Sequence, residues 1–266
     1  MKKRVFGLLA MVALLFCSCE IKEKIVFDKD MSGKYTTTID MSPMMKLANE
    51  NMPPSPEKES KVMDTLIVFS EMLEAYKDSI ATLSIEEQQK IKRLKGFSLG
   101  MQMNESKGIF VMDISKEFQD FDQLATMADD MAEVMNVAKG QSGAGQGAPP
   151  QMDDMLKTDR VTYTFENNIF RRVDLAVVEA ESEEEIEEVE EEEEDPMMAG
   201  MMQQFEDMLK GSYMTIEYTF PKKVESVSFE DAKISKDGKT VIVKADWKTL
   251  MDNDELLKDL RITLKE

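Results

Sequence analysis

Apolar and polar residues alternate with a period of two along several segments of the chain, as is typical of half-buried antiparallel strands. Gly, Asn and Asp residues separate these segments and indicate turns. The paired segments are 25–27 with 35–41, 97–103 with 109–114, 161–165 with 169–177, and a final pair that turns at 236–238 into a strand expected to reach Trp247. Further strands are expected at 214–220, 224–229 and 260–264. The pattern therefore predicts an antiparallel sheet built from several hairpins.

Other segments repeat their apolar residues with helical spacing. Between Val62 and Leu83 these residues recur at alternating steps of four and three, which predicts an amphipathic helix packed on the sheet or, alternatively, against a partner helix. Ser84 and Glu87 fit a capping box at the start of a short helix. Apolar residues in 118–135 and 198–209 indicate two more helices. The fold class expected is α+β, with amphipathic helices covering one face of the antiparallel sheet.

Two segments interrupt these patterns. Residues 139–151 are rich in Gly and contain Pro149 and Pro150, whereas 179–196 is dominated by thirteen acidic residues. Neither segment has the apolar residues that a buried face requires, so we expect both to be disordered excursions from a single α+β domain spanning 19–266. A division into two domains near residue 145 is the alternative.

The N-terminus has the pattern of an export signal. Lys2, Lys3 and Arg4 precede an apolar stretch from Val5 to Phe16, which is too short to cross a bilayer. Small residues then lead to Cys19 in the sequence Phe16-Cys17-Ser18-Cys19. This arrangement resembles the lipobox of bacterial lipoprotein precursors, with Phe16 at the position where that pattern prefers Leu. An ordinary secretory signal peptide that is cut elsewhere is the alternative.

The resemblance implies that residues 1–18 are a signal peptide and that Cys19 is the site of lipid attachment. Palmitate and other acyl chains on the mature N-terminus would then hold the protein on a membrane of the cell envelope. That membrane would face the periplasm or the cell surface, and we favour the outer membrane. On this basis the chain resembles envelope lipoproteins of two-membrane bacteria.

Composition excludes several classes of function. The chain has no histidine, and lipid attachment at Cys19 after removal of Cys17 would leave it without a free thiol, so Ser-His-Asp, Cys-His and thiolate metal sites are excluded. The formal net charge of -20 would repel nucleic acid and anionic lipid headgroups. We therefore expect membrane attachment to depend on acyl chains and expect no nucleic-acid partner.

Methionine is unusually frequent, with 24 copies, and is densest at Met44-Met45 and in 197–202. Thioethers bind soft metals such as Cu(I), but methionine also fills irregular apolar cores and adaptable grooves. Asp28 to Gly33 resembles the start of a calcium loop, although Ile39 stands where a bidentate Glu is needed, so a polar hairpin turn is the better interpretation.

Taken together, these features predict a non-enzymatic envelope lipoprotein that serves as a binding or structural module for another envelope protein, with no catalytic site, cofactor or metal. A carrier of an apolar ligand or soft metal, using the methionine clusters, is the alternative. A hydrolase that uses a pair of carboxylates is a third hypothesis, because such chemistry needs no histidine.

Overall fold

The computed structural model of the chain describes residues 20–51, 61–127, 130–131, 134–135, 161–174 and 211–266. Twelve strands lie within this part of the chain. They are β1 (Glu20–Phe27), β2 (Gly33–Asp40), β3 (Val62–Val68), β4 (Phe97–Asn104), β5 (Ile109–Phe118), β6 (Val161–Glu166), β7 (Ile169–Asp174), β8 (Tyr213–Thr219), β9 (Val224–Val227), β10 (Lys233–Ile234), β11 (Thr240–Asp246) and β12 (Asp259–Leu264).

The strands form two sheets. The large sheet has eight strands in the order β10-β11-β8-β1-β2-β5-β4-β3, and the small sheet has four in the order β6-β7-β12-β9. All neighbouring strands are antiparallel except β1 and β8, which run parallel with Glu20 aligned to Tyr213. Strands from both sides of residue 145 therefore join in the large sheet.

Aromatic side chains fill the space between the two sheets. Phe170 of β7 lies at the centre of this contact, with its ring 5.5 Å from Phe27 of β1 and 5.2 Å from Tyr218 of β8. Each of these residues occupies an inward position in the two-residue period of its strand, and each is buried. The small sheet thus covers the part of the large sheet that contains β1 and β8.

The predicted hairpins are confirmed where the structure describes them. β1 pairs with β2, β4 with β5, β6 with β7, and β10 with β11. Asn167 and Asn168 both have positive φ, at 52° and 61°, as a two-residue turn of this kind requires. Gly33 is needed at the β1–β2 turn, because a Cβ there would lie 2.0 Å from the backbone oxygen of Val26.

Six α-helices have described bounds, and all are short. They are α1 (Ser42–Asn51), α2 (Phe69–Ala75), α3 (Lys77–Ile80), α4 (Ile85–Arg93), α5 (Phe121–Ala125) and α6 (Trp247–Asp252). The capping box predicted at Ser84 is present, since its hydroxyl accepts from the Glu87 backbone and the Glu87 carboxylate accepts from the Ser84 backbone. Helical residues between 127 and 135 place Met127, Asp130 and Met131 in the core.

The helix predicted from Val62 to Leu83 is wrong. Residues 62–68 form the edge strand β3, and helical structure begins only at Phe69. A step of four residues also returns to the same face of a strand, so Val62 and Leu66 satisfy both patterns. Both are more than two-thirds exposed, whereas Phe69 is fully buried. The apolar repeat was therefore not a single buried stripe.

Two other expectations need correction. The strands form two sheets rather than one antiparallel sheet, and the parallel β1–β8 pair has no counterpart in a set of hairpins. Trp247, expected on a strand, is the first residue of α6, because the Asp246 side chain ends β11 by accepting from the backbone of Lys248 and Thr249. The sheet-rich mixture of strands and helices is confirmed, whereas helices covering one face of a sheet are not shown.

Several predicted features lie outside the described residues. They are the signal peptide 1–18, the lipid-attachment residue Cys19, the segments 139–151 and 179–196, the helix at 198–209 and the methionine cluster at 197–202. Among the described residues, no helix is both long and apolar enough to cross a membrane.

Candidate functional site: a buried polar cluster and the Glu20 end

Polar side chains lie together between the two sheets, in the middle of the aromatic core. Glu23 of β1 occupies an inward position between Ile21 and Ile25, and Arg172 of β7 occupies an inward position two residues after Phe170. We call Glu23, Tyr35, Thr37, Tyr163, Arg172 and Tyr218 the buried polar cluster. All six residues are buried.

The carboxylate of Glu23 is the centre of this cluster. Its Oε1 accepts hydrogen bonds from the hydroxyl of Tyr163, at 2.7 Å, and from the hydroxyl of Tyr218. Its Oε2 lies 3.4 Å from Nε of Arg172, which forms an ion pair with it. Both oxygens are therefore satisfied, as a buried carboxylate requires.

Tyr35 and Thr37 of β2 extend the network toward the neighbouring strand. The Thr37 hydroxyl donates to the Tyr35 hydroxyl at 2.7 Å. Burial, reinforced by the negative charge of Glu23, raises the pKa of Tyr35 above its ordinary value of 10.0. The same two causes raise the pKa of Tyr163 and of Tyr218. All three phenols are thus held in their neutral form, which can donate hydrogen bonds.

Arg172 remains charged within this environment. Burial lowers the pKa of its guanidinium, but Glu23 together with Tyr218, Tyr163 and Asp174 more than offsets burial and raises the pKa overall. The cluster therefore combines the cation Arg172 and the anion Glu23 with neutral phenols. Chemically, it can align the two sheets against each other. Its side chains are all buried between the two sheets.

A second buried ion pair joins the helical residues near 130 to the large sheet. Lys116 occupies an inward position on β5, and its Nζ lies 2.9 Å from Oδ2 of Asp130 and 4.6 Å from the ring centre of Phe97. Arg93 adds a longer contact, with Nε 3.5 Å from Oδ1 of Asp130. Lys116, like Glu23 and Arg172, is an inward charge matched by an opposite charge.

Cys19 itself lies outside the described residues, but its chain neighbour Glu20 is the first residue of β1. Glu20 aligns with Asp40 on one side and Tyr213 on the other, and Tyr213 aligns with Asp246. We call the end of the large sheet formed by these four residues the Glu20 end. It is the part of the described structure that covalent geometry places next to Cys19.

The carboxylates of the Glu20 end all accept local hydrogen bonds. Glu20 Oε1 accepts from the Thr215 hydroxyl at 2.8 Å, and Asp40 Oδ1 accepts from the Ser42 backbone at 2.9 Å, at the start of α1. The backbone N–H of Trp247 donates to the Ser212 carbonyl at 3.1 Å and holds α6 at this end. Side-chain hydrogen bonds at the Glu20 end therefore extend to the first residue of β1.

The structure also describes the calcium-loop-like segment and one of the two methionine clusters that the sequence suggested as binding sites. Asp28 to Gly33 forms the β1–β2 turn, in which Asp30 Oδ1 accepts from the backbone and hydroxyl of Ser32. Met44 of the Met44-Met45 pair is buried in the core. Among the described residues, no group of three or more acidic, Cys or His side chains is arranged to hold a metal.

Comparison of the chain with protein-family models, curated proteins and solved structures finds no match. The sequence analysis did not predict the buried polar cluster, although the sequence contains an indication of it. Glu23, Lys116 and Arg172 each place a charge at an inward position of an alternating strand, and such a charge needs a partner.

Proposed function

We propose that the chain is an envelope lipoprotein, anchored through lipid on Cys19, whose folded part is a non-enzymatic module that binds another envelope protein. The observation that carries this proposal is the start of β1 at Glu20. In this proposal, β1 follows directly after the lipid-bearing residue, and processing at Cys19 would leave its pairing with β2 and β8 in place.

The two buried ion pairs support a structural role for the charged side chains in the core. Glu23 is neutralised by Arg172, and Lys116 is neutralised by Asp130. Each pair is enclosed by the core and joins two separate elements of the fold. Their chemistry is therefore used for packing, which favours a binding module over a carboxylate-dependent hydrolase.

The proposal also extends the described packing. The small sheet covers β1 and β8, and the helical residues near Asp130 contact β5 beside it. In this proposal, amphipathic helices complete the cover over the remaining inner face of the large sheet. The opposite, outward face is then available to a partner.

Lipid attachment is tested by labelling cells with palmitate and comparing Cys19→Ser with Cys17→Ser. The two variants change adjacent positions of the same motif, so they form a matched pair. We expect Cys17→Ser to retain the label and Cys19→Ser to lose it. Equal labelling of both variants, or loss of label only in Cys17→Ser, would contradict the assignment of Cys19.

The interaction function is tested by native mass spectrometry of the mature protein purified from its own envelope. We expect the protein to carry no tightly bound metal or small ligand and to form a stoichiometric complex with a specific envelope protein after crosslinking in cells. A bound copper ion, or a bound lipid in addition to the anchor, would contradict the interaction function and indicate a carrier instead.

A further inference from the structure

We propose that the Glu20 end lies directly against the surface of a phospholipid bilayer, with no tether between the membrane and the sheet. This inference rests on the proposed lipid attachment at Cys19. Consecutive Cα atoms are about 3.8 Å apart across a trans peptide, so Glu20 must stay within one residue of the lipidated position. A spacer of n residues would add up to about 3.3–3.6 Å for each residue, but none is present.

The pairing of β1 prevents the strand from supplying a tether of its own. β1 lies inside the large sheet and is paired on both sides from its first residue, with β2 and with β8. Release of its first residues would break hydrogen bonds to two strands at once. It would also separate Glu20 from Thr215. The sheet therefore begins where the anchor ends.

The chemistry of the Glu20 end indicates how the bilayer is held. Glu20, Asp40 and Asp246 place three carboxylates there, and the chain as a whole is strongly acidic. These carboxylates therefore do not favour anionic headgroups. Tyr is favoured at the depth of the headgroups, and the half-buried Tyr213 lies at this end, with Nζ of Lys244 3.9 Å from its ring centre. The surface fits zwitterionic phospholipid, with acyl chains on Cys19 supplying the affinity.

Trp247 is a natural reporter for this arrangement, because it is the only Trp in the chain. It follows Asp246, which is separated from Glu20 by two strand spacings across β8 and β1, or roughly 10 Å. A quencher attached to lipid headgroups would therefore lie close to Trp247 if the Glu20 end contacts the bilayer.

The experiment uses the full-length lipidated protein in phosphatidylcholine vesicles that contain a headgroup spin label. The matched variant has 20 Gly and Ser residues inserted between Cys19 and Glu20, which hold the sheet at an average distance of about 25 Å. We expect Trp247 to be quenched about twofold or more relative to the linker variant, because contact quenching is lost over such a distance.

A second reporter separates this end of the sheet from the rest. In the Trp247→Phe, Ile234→Trp variant, the new Trp is on β10, where Ile234 is 45 % exposed and aligned with Val241. Val241 is in register with Tyr218 and hence with Ile25, five residues or about 17 Å along β1 from Glu20. We expect this reporter to be quenched weakly, whether or not the linker is present.

The outcomes distinguish this inference from the proposed function. Lipidated protein whose Trp247 is quenched no more than in the linker variant, or no more than the β10 reporter, would overturn the direct contact and leave the lipoprotein assignment intact. Absence of acyl chains on Cys19 by mass spectrometry would overturn both.

Discussion

Glu23 and Arg172 form an ion pair between the two sheets, with Nε and Oε2 3.4 Å apart and both side chains at most 6 % exposed. The pair is separated by 149 positions in the sequence. Desolvation of the two charges makes such a pair costly in free energy to form. Substitution of only one partner is costlier still, because it leaves the other charge buried without a partner.

This relationship predicts an asymmetric response to mutation. Arg172→Met should lower the free energy of unfolding by about 3–5 kcal/mol, because it leaves the Glu23 carboxylate uncompensated. Adding Glu23→Gln should restore about 1 kcal/mol or more, since the charge itself is then removed. Urea denaturation of the two variants measures both quantities. Equal midpoints for the single and double variants would show that the charges are not coupled.

The buried phenols predict a distinctive behaviour in alkali. Burial, with the charge of Glu23, raises the pKa of Tyr35, Tyr163 and Tyr218 in the folded state. In the unfolded chain they ionise near the ordinary value of 10.0, so the free energy of unfolding should fall as the pH rises above about 10.

Phenolate absorbance during a pH titration tests this expectation. Three of the five tyrosines should ionise only together with unfolding, as followed by circular dichroism. Tyr76 is 62 % exposed, so Tyr76→Phe should leave this late fraction unchanged, whereas Tyr218→Phe should reduce it. Ionisation of all five tyrosines before any loss of structure would contradict the enclosure of the cluster.

Asp259 predicts a loss of stability in acid. Arg171 donates two hydrogen bonds to this carboxylate and, with a further contribution from Arg261, lowers its pKa to about 2. A lowered pKa gives stability that is complete above about pH 4 and is lost as the pH falls toward 2. Both arginines are partly exposed, so solvent screening limits the contribution to about 1 kcal/mol.

Asp259→Asn provides the comparison for this effect. At pH 6 the free energy of unfolding should be lower for the variant than for the original chain. The difference should become smaller as the pH approaches 2. Urea denaturation at several pH values measures it. A difference that stays constant with pH would mean that the carboxylate charge has no part in it.

Leu66 and Phe69 belong to the same apolar repeat in the sequence, but we expect very different effects from their substitution. Phe69→Ala should lower the free energy of unfolding by about 3–5 kcal/mol, because the ring is fully buried. Leu66→Ala should change it by no more than about 0.5 kcal/mol, because Leu66 is 69 % exposed on β3. Similar large losses for both variants would instead indicate that the outward face of β3 is covered.

Local patterns predicted the hairpins because both strands and the turn between them lie within one short segment. Asn167 and Asn168 are an example, since their preference for positive φ and the alternation around them lead to the same structure. The stretch from Val62 was misassigned because its residues fit two periods, and only long-range pairing with β4 decides between them.

The candidate sites depend on relations that no local pattern contains. Glu23 has a recognisable inward position, but its partners Arg172 and Tyr218 come from other parts of the chain. The parallel alignment of Glu20 with Tyr213 also joins residues that are far apart in the sequence. The role proposed for Cys19 is predicted from sequence alone, whereas the central place of β1, which begins at Glu20, required the sheet order.

The placement of β1 between β2 and β8 has a consequence for how the protein acquires its structure. β2 follows β1 after a short turn, but Tyr218 of β8 is 195 positions from Glu23. Contacts of such separation raise the contact order and slow folding. One edge of β1 has no partner until β8, which begins at Tyr213, is available. A chain that emerges with its N-terminus first, from a ribosome or across a membrane, therefore cannot complete its large sheet until most of its length has emerged.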